Sequence, residues 1–228
     1  MSRISCIIPA WNEGARIGAV LAAAAGHPDL AEVIVVDDGS TDGTAEIAAA
    51  VAGITLIRQP RNGGKTAALA AGIGAARAEF LMFLDADLTG LRRADIAALA
   101  APVLEGRGNA SISLRGNAPG LWRRIGLDYI SGERVMPRSL LADRQADLLR
   151  LPKFGFEVFL NRLWLDQSYR IAVVGWPGVA SPPKARKSGL WKGIQGDINM
   201  MRDIFRVLPP HAAARQIARM RAARLPHD

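Results

Sequence analysis

The segment Phe80-Leu81-Met82-Phe83-Leu84-Asp85-Ala86-Asp87 decides how this chain is read. An unbroken apolar run leads straight into two carboxylates spaced i, i+2. A short, continuously apolar run of this kind is what a strand covered on both faces looks like. In an open α/β sheet, ligands bind at the carboxyl ends of the strands. Hard carboxylate oxygens at such an end suit Mg2+ or Mn2+, usually held by one or two carboxylates plus ligand phosphates. Acids that merely face water at a strand end give the same local pattern, so the neighbouring turns have to decide.

Working outward, Ile4–Pro9, Val33–Asp37 and Ile54–Arg58 read as further strands of the same kind. Between them Ala15–Ala25, Thr44–Val51 and Lys65–Arg77 are rich in alanine and other helix formers. Repeated β-α-β units predict a parallel sheet. A helix over Ala94–Glu105 and a strand over Ala110–Leu114 follow. Beyond Arg115 the pattern loosens, with a turn at Asn117–Gly120, helical segments at Leu140–Leu151 and Phe156–Asp166, and a last strand at Ile171–Val174. Leu190, Trp191, Ile194, Ile198, Met201, Ile204, Phe205 and Leu208 then recur at helical spacing. The expected fold is α/β: a Rossmann-type, mostly parallel sheet flanked by helices, with a C-terminal helical extension. Residues 1–208 make the domain and 209–228 a basic tail.

Each N-terminal strand ends in a polar turn: Pro9-Ala10-Trp11-Asn12-Glu13, Asp37-Asp38-Gly39-Ser40-Thr41-Asp42-Gly43-Thr44, Arg61-Asn62-Gly63-Gly64-Lys65 and Asp85-Ala86-Asp87. In a parallel sheet these ends share one edge, so the turns converge in space. Together they suit a nucleoside diphosphate. Asp37 or Asp38 can accept bonds from a base or ribose, and Lys65 at a helix start can meet phosphate. Ser40, Thr41 or Asp42 can cap the helix that opens after Gly43. Rival phosphate motifs fail by spacing. A P-loop ending in Gly64-Lys65-Thr66 needs glycine at 59, where the chain has Gln59. Gly72-Ile73-Gly74 lacks its third glycine, the position being Arg77.

Composition narrows the class. No apolar run approaches the ~20 residues of a membrane-spanning helix, and Met1-Ser2-Arg3-Ile4 lacks the apolar core of a secretory signal. The lone Cys6 reads as a small buried hydrophobe and permits no internal disulfide. Cytoplasmic residence is the resulting expectation. His27, His211 and His227 lie too far apart in the chain to favour a zinc site or a Ser-His-Asp triad. Net charge is +8, and the stretch from Phe205 to His227 holds five arginines and no acid. That stretch points to an anionic partner, with contact at the inner face of a membrane as the leading reading.

Ile7-Ile8-Pro9-Ala10-Trp11-Asn12-Glu13, Val35-Val36-Asp37-Asp38-Gly39-Ser40-Thr41-Asp42, Asn62-Gly63-Gly64-Lys65 and Leu84-Asp85-Ala86-Asp87-Leu88 together closely resemble the family 2 glycosyltransferases of GT-A fold. The resemblance covers about residues 3–115. It is looser over 116–208, where Ser131-Gly132-Glu133-Arg134 and Gly155-Phe156-Glu157 resemble the acceptor half of polyprenyl-phosphate sugar transferases. It implies metal-dependent transfer of a sugar from a nucleotide-diphosphate sugar, with inversion at the anomeric carbon and with Mg2+ or Mn2+. Pro9, Ala10, Glu13 and Asp38, with Asp37 less firmly placed, would contact the nucleoside. Lys65 and Asp85 would sit near the ribose and diphosphate. Asp87, the second acid of the DxD motif, would be the principal metal ligand, with Asp85 beside it. This chain departs from the pattern twice: Thr89 stands where lipid-phosphate members often carry Gln, and Gly178-Val179-Ala180-Ser181 offers no metal-binding His.

A hydroxyl acceptor profits from a general base, and Glu157 is the candidate. A lipid-phosphate acceptor is already an anion and needs cations instead. Candidates for those are Arg115, Arg134, Lys184, Arg186 and Lys187, with Arg134 counted among the catalytic residues. Two other readings compete: a nucleotidyltransferase, which would normally carry a glycine-rich loop where Trp11-Asn12-Glu13 stands, and a non-catalytic module binding nucleotide or nucleic acid through the basic tail. On the transferase reading no nucleic-acid partner is expected.

Overall fold

In strand β1 (Ile4–Ala10), alternate residues enter opposite cores. Ile4, Cys6 and Ile8 join one apolar layer with Ile17, Val20 and Leu21 of helix α1 (Ile17–Ala24) and Ile96 and Leu99 of α4 (Arg93–Leu104). Ile7 joins the other with Leu69 and Ile73 of α3 (Lys65–Ala75). Both faces of the strand are covered, which is why its sequence shows no apolar–polar alternation. Helix α3 packs closely enough that a Cβ at Gly72 would lie 2.5 Å from Ile7 Cγ2. The computed structural model describes residues 3–151, 155–182 and 208–226. The expected amphipathic helix at Leu190–Leu208 lies outside them but for its last residue, and Lys184, Arg186 and Lys187 fall outside as well.

The remaining elements are β2 (Leu30–Asp37), α2 (Thr44–Ala49), β3 (Ile54–Arg58), β4 (Phe80–Phe83), β5 (Ala110–Arg115), α5 (Gly120–Ile125), β6 (Arg134–Pro137), α6 (Gln145–Leu149), α7 (Gly155–Asp166), β7 (Ile171–Trp176) and α8 (Pro210–Ala222). They form a seven-stranded sheet of order β3-β2-β1-β4-β6-β5-β7. Strands β1 to β4 pair in parallel, β6 pairs antiparallel with β4 and β5, and β5 and β7 are parallel again. Chain order reverses at β1, so the crevice between β1 and β4 is where an open sheet places its ligand.

Two sequence expectations change. The strand β6 was not foreseen, because its four residues begin with Arg134 and end with Pro137. The segment 209–228 is no free basic tail. Its helix α8 buries Ala213, Gln216 and Met220, with Met220 in the same core as Trp164 and Leu160 of α7. The Gln216 carboxamide oxygen accepts from the Tyr129 hydroxyl. The chain then runs beside β7: Ile171 N donates to Ala223 O at 2.9 Å, and Leu225 N to Ile171 O at 2.9 Å. Of the five arginines that suggested a tail, Arg215, Arg219 and Arg221 stand exposed on this helix, Arg224 follows it and donates to Ile125 O and Gly126 O, and Arg206 lies outside the described residues.

Candidate active site

The carboxyl ends of β1, β2 and β4 open onto a cleft of about 640 Å3. Pro9, Ala10, Trp11 and Glu13 line it from the first turn, Asp38 from the second, Asn62 to Lys65 from the third, and Asp85 and Asp87 from the fourth. Asp38 and Asp87 thus share one cavity. Phe156 and Glu157 of α7 close its far side, held there by an edge-to-face contact between Phe156 and Phe83 of β4 at 5.3 Å. A second hollow, about 450 Å3 beside Ser139, Asp143 and Tyr169, opens at the opposite edge of the sheet and holds none of these residues.

The turns hold one another. Asn12 takes a left-handed backbone, φ 53°, which asparagine tolerates better than most residues. Its N–H donates to Ser40 Oγ at 2.9 Å, and its side-chain oxygen accepts from Thr41 N at 2.9 Å. Glu13 N donates to Thr44 Oγ1 at 2.8 Å and Gly14 N to Asp42 Oδ2 at 3.0 Å. Ser40 and Thr41 therefore tie the first two turns together and do not cap α2. Asp42 alone serves that helix start, accepting from Thr44 N at 3.2 Å. Gly39 has φ +70°, and a Cβ there would lie 2.7 Å from the carbonyl carbon of Arg61, so the second and third turns need its missing side chain to pack.

The two neighbouring aspartates divide sharply. Asp38 accepts from Gly63 N and Gly64 N, both at 2.8 Å, and so shapes the turn that launches α3 and Lys65. Asp37 ends β2 and is as buried as Asp38, but it is absent from the cleft wall. It accepts from Ser40 N at 3.2 Å and lies 3.9 Å from Arg58 Nε.

Lys65 Nζ lies 2.7 Å from Asp85 Oδ1 and 3.2 Å from Glu157 Oε1. Burial works against its ammonium, but these carboxylates outweigh burial and hold its pKa above the ordinary lysine value. Burial would also raise Asp85; the Lys65 charge and hydrogen bond, helped by Arg115, hold it below the usual carboxylate range. Asp87 differs. It makes no ion pair or hydrogen bond among the described residues. Burial first, then the negative charges of Asp85 and Glu13, push it up to about 6. One carboxylate facing the cleft is therefore left without a directly paired cation among the described residues. That arrangement fits a hard divalent ion sharing its coordination with a donor's phosphates and water. Among the described residues no group of three or more His, Cys, Asp or Glu is placed to hold a metal by itself.

Two expected cationic ligands are not on the cleft wall. Arg134 is fully buried. Its guanidinium donates to Ser131 O at 2.7 Å, Asn161 Oδ1 at 2.6 Å and Tyr129 O at 3.0 Å, and stacks 5.0 Å from the Trp164 ring centre. Burial brings its pKa down to about 10, against the opposing charges of Glu157 and Asp128. Every face of the group is engaged inside the protein, which corrects its expected place beside a ligand. Arg115 is likewise turned inward: Nη2 lies 3.2 Å from Asp128 Oδ2, and Nη1 lies 3.5 Å from Glu133 Oε1 and donates to Ser181 Oγ. Sequence reading also passed over Trp11 as a site residue, although it is 52% exposed in the cleft mouth. An aromatic side chain in a polar turn after a buried strand was the available signal.

The family model for "Glycosyl transferase family 2" matches residues 5–163. The chain belongs to that family. A dolichyl-phosphate beta-glucosyltransferase of Trichomonas vaginalis is 40% identical over 94 residues, which are 36% of this chain and 28% of that protein. A dodecaprenyl-phosphate galacturonate synthase of Rhizobium johnstonii is 37% identical over 94 residues, again 28% of its length. The matched part of the chain thus spans under a third of these curated relatives. Among solved structures, glucosyl-3-phosphoglycerate synthase from Mycobacterium tuberculosis, in complex with Mn2+, UDP and glucosyl-3-phosphoglycerate, superposes with a TM-score of 0.62 at 26% identity. That alignment covers 82% of this chain and 74% of the other. The fold is the GT-A arrangement expected from the sequence.

Proposed function

We propose that this chain transfers a sugar from a nucleotide-diphosphate sugar, with Mg2+ or Mn2+, to a lipid-phosphate acceptor, with inversion at the anomeric carbon. One observation carries the reading: Asp38, Lys65, Asp85, Asp87 and Glu157 all face a single cleft at the switch point of the sheet. Relatives named for UDP, Mn2+ and polyprenyl-phosphate chemistry support it.

The first two turns, with Pro9, Ala10, Glu13 and Asp38, receive the nucleoside, and the exposed Trp11 ring flanks the mouth. Lys65 lies within reach of both the ribose side and the diphosphate. Asp87, assisted by Asp85, would hold the divalent ion, whose contribution when bound is to neutralise the departing nucleotide diphosphate. Because Asp85 is engaged by Lys65, Asp87 is the DxD carboxylate left for that ion. Arg134 and Arg115 act from behind, holding the 128–134 segment in place.

Glu157 separates two acceptor classes. A phosphate acceptor attacks as an anion and needs no base; a hydroxyl acceptor does. The ion pair with Lys65 engages the Glu157 carboxylate and holds it in place, which favours positioning over proton removal. Its presence in the cleft keeps a hydroxyl acceptor as the second reading. Glu157→Gln is expected to lower turnover with a polyprenyl phosphate by less than about tenfold, and with a hydroxyl acceptor by about 10²–10⁴-fold.

The central test is Asp87→Ala assayed with labelled nucleotide sugars across a Mn2+ titration. Hydrolysis and transfer should fall by about 10³-fold or more, with the thermal midpoint unchanged or raised, since the removed carboxylate has no directly paired cation among the described residues. Full activity in that variant ends the metal role.

Contact with an anionic membrane surface belongs to the same proposal. No described helix is long and apolar enough to cross a membrane. Arg215 and Arg221 are exposed on α8 and Arg123 and Arg124 on α5, without ion-pair partners among the described residues. Deleting 209–228 would strip core residues, so Arg215→Glu with Arg221→Glu is the cleaner probe. Sedimentation with anionic liposomes that is undiminished in this double variant removes α8 from the proposal.

A further inference from the structure

We propose that Gly132, anchored by Glu133, is the rear wall that positions the Asp85 carboxylate against Lys65. The proposal rests on the cleft being the donor site, because its consequence is that Asp87 alone is left open to a cation.

The geometry begins with strand register. Strand β6 pairs antiparallel with β4, placing Phe83 opposite Arg134. Continuing that register past the strand ends brings Gly132 opposite Asp85. A Cβ on Gly132 would lie 2.8 Å from both Asp85 carboxylate oxygens and 3.0 Å from the carbon between them. In front, Lys65 Nζ lies 2.7 Å from Oδ1. The carboxylate is therefore clamped between an ammonium and a bare stretch of backbone. Gly132 does not occupy the left-handed region, so its backbone angles do not demand glycine; the space taken by Asp85 does.

The wall is itself fastened. Glu133 is fully buried, and its Oε2 accepts from Ser113 Oγ at 2.7 Å and Ser131 Oγ at 2.6 Å. Ser113 N donates to Glu133 O at 3.1 Å, which ties the same residue to β5 by its backbone. Arg115 Nη1 stands 3.5 Å from the other carboxylate oxygen, Oε1. A buried carboxylate with these partners is costly to seat and hard to move. Glu133 is not itself on the cleft wall; its buried carboxylate bears on Asp85 directly, by charge and hydrogen bond, and also through Gly132, so both are positioning residues.

A double-mutant cycle tests this without any ligand. Gly132→Ala should lower the thermal midpoint by roughly 2–10 °C, as expected for overpacking in a chain of this size. In an Asp85→Ala background the same substitution should change the midpoint by less than about 1 °C, because the group it strikes is gone. Equal losses in both backgrounds would overturn the proposal. Calorimetric titration with UDP and Mn2+ supplies the second readout. Gly132→Ala and Glu133→Ala should each weaken binding by about tenfold or more, and Glu133→Gln, which keeps an acceptor for the serines, should restore most of it. Wild-type affinity in Gly132→Ala, or no restoration by Glu133→Gln, also overturns it. If the unmutated protein takes up no UDP with Mn2+, the donor-site reading fails, and the thermal cycle still decides for or against the wall.

Discussion

The β1–β4 half and the β5–β7 half of this molecule handle charge in opposite ways. In the first, the strands are mostly apolar and the acids that reach the cleft, Asp38, Asp85 and Asp87, stand at the carboxyl rim. In the second, Asp128, Glu133 and Arg134 are wholly buried. The first half shows its chemistry; the second conceals charges to hold that chemistry still. An ion of either sign inside a protein is stable only when its partners are fixed, so the buried set acts as a rigid backing. Mutations should therefore damage binding in one half and folding in the other.

The strongest test of that division is Arg134→Ala. It leaves the Ser131 carbonyl and Asn161 Oδ1 without their donor, takes one of two donors from the Tyr129 carbonyl and removes the group stacked on Trp164. Urea unfolding should show a loss of about 3–5 kcal/mol. Loss of turnover with unchanged stability would instead put Arg134 among the ligand-binding groups and break the comparison. Next comes Met220→Ala. If α8 belongs to the second half's core, removing this fully buried side chain should cost about 2–4 kcal/mol. A cost near zero would return residues 209–228 to the status of a tail.

The same division explains what could be read from the chain alone. The N-terminal strands and their turns are local signals: an apolar run sets the strand, and Gly, Asn or Asp after it sets the turn. Convergence then follows from parallel topology, and Pro9, Ala10, Glu13, Asp38, Lys65, Asp85, Asp87 and Glu157 do share the cleft. Choosing between Asp37 and Asp38 was harder, because a one-residue step at the strand end decides which carboxylate turns inward. Strand β6 escaped because a fully buried arginine looks like a surface residue in sequence. Its acceptability depends on Asn161, 27 positions away, and on Trp164. The ion pair of Lys65 with Glu157 spans 92 positions and has no local trace. Helix α8 was misjudged because its arginines were counted while the period of Ala213, Gln216 and Met220 was not.

A milder probe acts on the rim. Asp38→Ala leaves the Gly63 and Gly64 amides without their acceptor, so stability should drop by about 1–3 kcal/mol, with a weaker UDP titration in the presence of Mn2+. If binding weakens while stability holds, Asp38 contacts ligand without shaping the turn, and the rim carries less structure than its hydrogen bonds indicate.

The smallest expected effect is the absence of one. Cys6 lies three residues before Pro9 at the cleft, yet it is fully buried, and burial pushes its thiol well above the ordinary value. The thiolate is the reactive form, so a thiol reagent such as a disulfide dye should leave the native protein unlabelled and react only as fast as the chain unfolds. Adding UDP and Mn2+ should slow that labelling further, since a ligand bound to the native state alone lowers the unfolded fraction. Rapid labelling in native buffer, unaffected by ligand, would mean that β1 opens locally and that the first half is the less rigid one. The division would then be inverted: the exposed chemistry would stand on a yielding strand, and the buried charges of β5 to β7 would be the sole fixed element behind the cleft.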